Sequence, residues 1–153
     1  MLCEGIGEIL HRLPDLPPHI LVMAKGTEGI STPAAYKQID LLPSPPPPYT
    51  DKVLLHLQDD ADVLFSACGN IFDAVTALPE IETVRRVMRE HGICPVLSGS
   101  GAAVFGGCRD KNHAQTCADA LSAAGIPFTA VTETVQTGIT ADGVPLRIEI
   151  PQY

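Results

Sequence analysis

The chain has no tryptophan and is poor in aromatics and charge: aromatic residues make up 5% and charged residues 18% of its 153 positions. Basic residues are scarce, with ten Lys and Arg against eighteen Asp and Glu, for a net charge of −8. That field repels polyanions, and no Lys/Arg cluster offsets it locally, which argues against nucleic acid as a partner. No apolar run approaches the ~20 residues needed to cross a bilayer, so no membrane association is expected. The N-terminus carries glutamates where a signal peptide needs cations and an apolar stretch, which makes the cytoplasm the expected compartment. CxxC spacing is missing. The five cysteines (Cys3, Cys68, Cys94, Cys108, Cys117) sit mostly inside apolar patterns and read as reduced, buried thiols. The five histidines are scattered, with neither HExxH nor another zinc-ligand spacing, so no metal site is expected from this chain.

What is present suits one globular domain. Hydrophobic residues make up 45% of a length sufficient for a genuine core and too short for two comfortable ones. Ile20 to Ala24 is a continuous apolar run suited to a buried strand. Ser31 or Thr32 can cap a helix over about 33–41, with Pro33 in its first turn. The run Pro43-Ser44-Pro45-Pro46-Pro47-Pro48 favours extended polyproline geometry and reads as a stiff surface loop rather than an SH3 ligand. Helix is expected again over about 49–58. Val63, Leu64, Ala67, Cys68, Ile71, Phe72 and Val75 then form a helical stripe that Gly69 can break in two.

Pro79 opens a further helix with Ile81, Val84, Val87 and Met88 inward, Arg85, Arg86 and Arg89 solvated, and Gly92 as its stop. Short extended segments follow at 95–97 and 102–106. A helix over about 110–124 places Ala114, Cys117, Ala118 and Leu121 on one face, and 127–132 reads as a strand. Val144, Leu146, Ile148 and Ile150 alternate as a half-buried strand after an Asp142-Gly143 turn. Strands and helices mix without regular βα repeats. The natural solution is an α+β fold, an antiparallel sheet with helices on one face.

Ser98-Gly99-Ser100-Gly101, followed by Ala102-Ala103-Val104-Phe105-Gly106, is the densest signal. Such a glycine loop can present a nest of amides to an anion, or can simply be a tight turn packed with small residues. Between Gly92 and Cys108 the only ionisable side chains are cysteines, so a bound charge would meet backbone.

Three segments in order carry a resemblance: Glu4-Gly5-Ile6-Gly7-Glu8-Ile9-Leu10, Gly29-Ile30-Ser31-Thr32-Pro33-Ala34-Ala35-Tyr36, and Leu97 to Phe105 around the SGSG loop. Over roughly residues 3–132 the chain resembles the C-terminal half of the GHMP kinases, and within them the 4-diphosphocytidyl-2-C-methyl-D-erythritol kinases. The resemblance implies a ferredoxin-like C-terminal domain behind a substrate cleft. It also implies ATP and Mg2+ as cofactors of the complete enzyme, and phosphoryl transfer to the 2-hydroxyl of a CDP-linked methylerythritol.

On that match Thr32 hydrogen-bonds substrate, although the residues alone also allow a helix N-cap there. Tyr36 stacks on the cytosine ring, or is a half-buried helix residue. Ser98, Gly99, Ser100 and Gly101 support the ATP-phosphate loop of the other half. The family's main ATP loop, catalytic aspartate and N-terminal lysine have no counterpart in these residues. No catalytic residue is therefore assigned, no cofactor is expected on this chain alone, and it is expected to be inactive without a missing N-terminal half or a complementing chain.

Residues 1–153 are expected to form one domain, with 1–17 a remnant of the link to the missing half and 133–153 a divergent C-terminal hairpin. The face left uncovered should expose apolar surface and favour a homodimer. Two other readings stay open: a free-standing ferredoxin-like ligand-binding or dimerisation module, and a fragment of another GHMP kinase acting on homoserine, mevalonate or a sugar.

Overall fold

The computed structural model describes residues 1–44 and 47–135, and the backbone of 140–141 and 144–145. In chain order its elements are β1 (Leu2–Glu4), β2 (Ile9–His11), β3 (Ile20–Lys25), α1 (Thr32–Asp40), α2 (Thr50–Leu55) and α3 (Ala61–Ala67). A 3₁₀ turn (Ile71–Ala74) precedes α4 (Pro79–Glu90), β4 (Val96–Leu97), β5 (Ala103–Cys108), α5 (Lys111–Ala123), β6 (Phe128–Glu133), β7 (Thr140–Ala141) and β8 (Val144–Pro145). β7 and β8 pair antiparallel; the expected strand alternation from Leu146 onward lies outside the described residues, as do Pro45 and Pro46 of the polyproline run.

The main sheet has the order β4-β5-β3-β6, with every neighbouring pair antiparallel. Helices separate β3 from β4 and β5 from β6, while β4 and β5 form a hairpin. This is the ferredoxin-like arrangement. β3 lies inside the sheet with a partner on each side, which is why its sequence is apolar without alternation. Val22 and Ala24 face the larger core with Val104 and Cys108 of β5, beneath α4 and α5. Ile81, Val84, Val87 and Met88 of α4 pack there with Ala114, Cys117, Ala118 and Leu121 of α5, the residues that helical spacing put inward.

Both helices end the same way. Gly92 and Gly125 adopt φ of 70° and 86°, and the next residue's amide reaches back five positions, Ile93 to Met88 and Ile126 to Leu121. That is the Schellman closure that only a residue tolerant of positive φ completes cheaply.

α3 lies on the opposite face of the sheet, where Leu64 and Phe65 pack with Val96, Leu21 and Phe105. Consecutive glycines in β5 admit both layers. A Cβ on Gly106 would fall 2.4 Å from Ile93 Cγ2, and one on Gly107 would fall 2.3 Å from Phe65 Cδ2.

Several side chains depart from expectation. Arg85 is buried, because the 3₁₀ turn brings Asp73 against it and Glu82 flanks it one turn earlier on α4. Val63 is exposed at the edge of its stripe, and Cys3 is an exposed thiol of a hairpin strand rather than a buried one. No described helix is long and apolar enough to cross a membrane.

Candidate functional site

The second and third sequence segments meet. Ser31 stands at the N-cap of α1 without a side-chain cap bond; its carbonyl accepts from Ala35 N at 2.9 Å. Thr32 then begins the helix, and its hydroxyl shares a 2.8 Å hydrogen bond with that of Ser100. Beneath this contact, Ile30 Cδ1 lies 2.8 Å from where a Cβ on Gly101 would sit, so glycine is what lets the two loops touch. Gly99 and Gly101 both hold positive φ, 56° and 98°. Thr32 and Ser100 are therefore a joint feature of two loops 68 positions apart.

The glycine loop uses part of its own polarity to hold its shape. Ser98 N donates to Ala103 O and Gly101 N to Ser98 O, each at 2.9 Å. The amides of Gly99 and Ser100 have no acceptor among the described residues. Two of the loop's four N–H groups thus remain available to a ligand, and no cationic side chain belongs to the loop. What it offers chemically is a small set of fixed backbone donors.

A residue that the sequence reading missed organises this loop. Asn70 Nδ2 donates to Leu97 O and to Gly99 O, both at 2.8 Å, while Asn70 Oδ1 caps the 3₁₀ turn by accepting from Phe72 N at 2.9 Å. Asp73 completes the capping box by accepting from Asn70 N, and its other carboxylate oxygen accepts from buried Arg85. The Asn-x-x-Asp spacing at 70–73 was the available signal, since it is a variant of the capping-box pattern. Its reach to residues 97 and 99 was not local.

The N-terminal turn of α4 supplies a second tether. Glu80 accepts from Thr27 N at 2.8 Å, Thr27 Oγ1 at 3.0 Å and Glu28 N at 3.3 Å, which pins the turn leading into Gly29. Gly26 makes room for that carboxylate.

Tyr36 is 56% exposed and meets Phe72 edge to face, with centroids 5.0 Å apart. It shares a neighbourhood with Asn70 through that turn while leaving much of its side chain open. Burial, and then the neighbouring Cys94 thiol, raises the Cys68 thiol just upstream of Asn70, which favours its neutral form.

The first segment folds apart as the β1–β2 hairpin. Leu2, Cys3 and Glu4 pair with His11, Leu10 and Ile9, and Gly7 N closes the turn on Glu4 O at 3.0 Å. Ile6 at its tip is fully exposed. Among the described residues no hydrogen bond or ion pair joins this hairpin to the other two segments.

Two of the cavities lined by described residues lie elsewhere. One of about 540 Å³ opens between the start of β3 and Asp59 to Asp62, and one of about 570 Å³ lies between Met1 to Cys3, Tyr49, Val53 and Ile71. Neither lining includes Thr32, Tyr36 or the glycine loop. No three His, Cys, Asp or Glu side chains converge as metal ligands among the described residues.

Comparison with known proteins agrees with this architecture. Residues 61–127 match the family described as GHMP kinases C terminal. The chain is 35% identical over 120 residues to 4-diphosphocytidyl-2-C-methyl-D-erythritol kinase of Lachnospira eligens, a match covering 76% of this chain and 42% of that protein. A crystal structure of 4-(cytidine 5'-diphospho)-2C-methyl-D-erythritol kinase superposes with a TM-score of 0.56 at 28% identity, covering 84% of this chain and 47% of that one. The mevalonate kinase of L. major, solved in complex with R-mevalonate, shares the fold at 15% identity with a TM-score of 0.67, covering 82% and 45% of the two chains. The chain spans less than half the length of these relatives. Residues 61–127 thus carry the match to the GHMP kinase C-terminal family, and over 120 residues the chain is similar to part of the 4-diphosphocytidyl-2-C-methyl-D-erythritol kinases.

Proposed function

We propose that this chain forms the C-terminal part of an ATP-dependent kinase that phosphorylates the 2-hydroxyl of a CDP-linked methylerythritol in isoprenoid biosynthesis, working in the cytoplasm. The observation that carries the reading is the 2.8 Å contact between Thr32 and Ser100, which joins the two segments by which the chain resembles such kinases. In this reading the exposed Tyr36 ring offers a stacking face to the cytosine, an interaction of about 1–3 kcal/mol for a base on an aromatic. Thr32 stands one helical turn before it and hydrogen-bonds the same substrate. The unspent amides of Gly99 and Ser100 back the phosphate-holding loop of the other half, with the ATP phosphates carrying Mg2+.

Phosphoryl transfer also needs cationic or metal stabilisation of the moving group and a residue that orients the hydroxyl. The guanidinium nearest the Asn70 turn does not supply it: Arg85 is held by Asp73 and Glu82. The chain alone is accordingly inactive, and a complementary N-terminal half supplies the catalytic groups and covers the exposed apolar positions. Ile71 and Phe128 are among those exposed apolar residues. The test combines the chain with the N-terminal portion of the Lachnospira eligens relative, then follows ADP release with the CDP-linked substrate. Turnover by the pair, absent from either part, supports the reading. Turnover by the 153-residue chain alone, or a Tyr36→Ala variant that leaves KM for the CDP-linked substrate unchanged in an active pair, overturns it.

A further inference from the structure

We propose that Asn70 is the positioning residue of the Ser98–Gly101 loop, fixing its shape so that the Gly99 and Ser100 amides stay free for a phosphate group. The phosphate clause rests on the function proposed above; the clamp itself does not.

A four-residue loop with two glycines at positive φ has more conformational freedom than any neighbouring segment, and fixing it costs entropy. Its internal bonds, Ser98 N to Ala103 O and Gly101 N to Ser98 O, close the turn at its two ends. They leave the middle peptide groups undetermined. Asn70 Nδ2 is the group that reaches the middle, because one of its hydrogens meets Gly99 O while the other meets Leu97 O at the end of β4. A side-chain amide is chemically matched to such a bridge, since it has two donors on one nitrogen and an acceptor besides. The acceptor, Oδ1, is taken by Phe72 N, which fixes the orientation of the amide.

The clamp is itself braced from behind. Asp73 accepts from the backbone N of Asn70 at 3.2 Å and is held by the buried guanidinium of Arg85, whose second partner is Glu82 at 2.7 Å. The loop is therefore tied through Asn70 and Asp73 to α4, which Ile81, Val84 and Met88 anchor in the core. Rigid placement of donors before the ligand arrives is what makes such amides useful to a transferring phosphate, since no ordering cost remains at the moment of reaction.

Asn70→Asp separates the clamp from the cap. The carboxylate keeps an acceptor for Phe72 N but has no donor for Leu97 O or Gly99 O. Hydrogen exchange on the 153-residue chain should show the Ser98 and Gly101 amides exchanging roughly tenfold or more faster, from the loss of two hydrogen bonds. Val22 and Val104 amides in the sheet should keep their protection. Unchanged Ser98 and Gly101 exchange in the variant overturns the proposal, and so does a loss that spreads equally to Val22 and Val104. Should Asn70→Asp not fold, Asn70→Ser serves the same purpose, with a hydroxyl that can cap Phe72 N and is too short to bridge both carbonyls. In an active pair with the N-terminal half, Asn70→Asp is expected to raise KM for ATP more than KM for the CDP-linked substrate. Equal effects on both overturn the phosphate clause. Failure of the wild-type pair to turn over counts against the proposed function, while the exchange result still decides the clamp.

Discussion

Gly107 is the place where one methyl group reports on the packing between the sheet and α3. An added Cβ there would lie 2.3 Å from Phe65 Cδ2, 2.7 Å from Phe65 Cε2 and 3.0 Å from Ala61 Cβ. Ordinary carbon contacts fall near 3.5–4.0 Å, so the ring must retreat by about an ångström or the strand must shift. Retreat is obstructed. Phe65 meets Phe105 and His19 edge to face, at centroid distances of 6.0 and 5.9 Å, and is itself buried. Overpacking of this kind costs ~1–3 kcal/mol, which for a domain of this size lowers Tm by roughly 2–4 °C per kcal/mol.

The decisive measurement is a double-mutant cycle. Gly107→Ala, Phe65→Leu and the pair are unfolded in urea and followed by far-UV circular dichroism, since no tryptophan is present to fluoresce. Gly107→Ala alone should lower the midpoint with an unchanged slope. In the Phe65→Leu background its cost should fall by more than ~0.5 kcal/mol, because the clash has lost its partner. Equal stability of Gly107→Ala and wild type, or strict additivity of the two changes, would refute this account of the α3 layer.

Three further outcomes are expected. Leu121→Ala removes a fully buried side chain between α5 and the sheet and should cost about 2.7–5 kcal/mol in the same urea experiment. Glu80→Ala deletes the acceptor of three hydrogen bonds to Thr27 and Glu28; it should lower stability by roughly 1–3 kcal/mol and broaden the NMR signals of residues 26–29, with Glu80→Gln milder. Burial, the main cause in each case, pushes the Cys108 and Cys117 thiols up from about 9 to about 11. The unfolded chain releases those protons earlier, so their contribution to stability is full below about pH 9 and is lost as pH rises through about 11. The urea midpoint should fall across that window, and less steeply in Cys117→Ala; a flat profile contradicts the buried placement.

Particular residues show which parts of this molecule can be read locally. Ile20 to Ala24 announced a buried strand, and β3 occupies the sheet interior. Pro79 and Gly92 bracketed a helix whose inward residues follow the 3.6-residue period, and Gly69 separated α3 from the 3₁₀ turn. Arg85 shows the opposite case. Its spacing among Arg86 and Arg89 suggested a solvated charge, but the fate of a long cation depends on what packs above it, and Asp73 arrives from a different element. Asn70 drew no notice in the sequence, because its role needed Leu97 and Gly99 brought within reach.

The sequence by itself determined the order of elements from β3 to β6, the glycine-closed helix ends, the antiparallel α+β class and the motifs by which the chain resembles a GHMP kinase C-terminal domain. Each depends on residues within a few positions of one another, where periodicity, capping and φ preference act directly. Only the tertiary structure decided that Thr32 meets Ser100 across 68 positions and that Asn70 reaches Leu97 across 27. It also decided that α3 takes the face opposite α4 and α5. Those contacts depend on which sheet face each connection crosses and on how closely two loops approach, and no local period encodes either. Closed hydrogen bonds between distant segments are a property of the packed chain, and the candidate site is made of them.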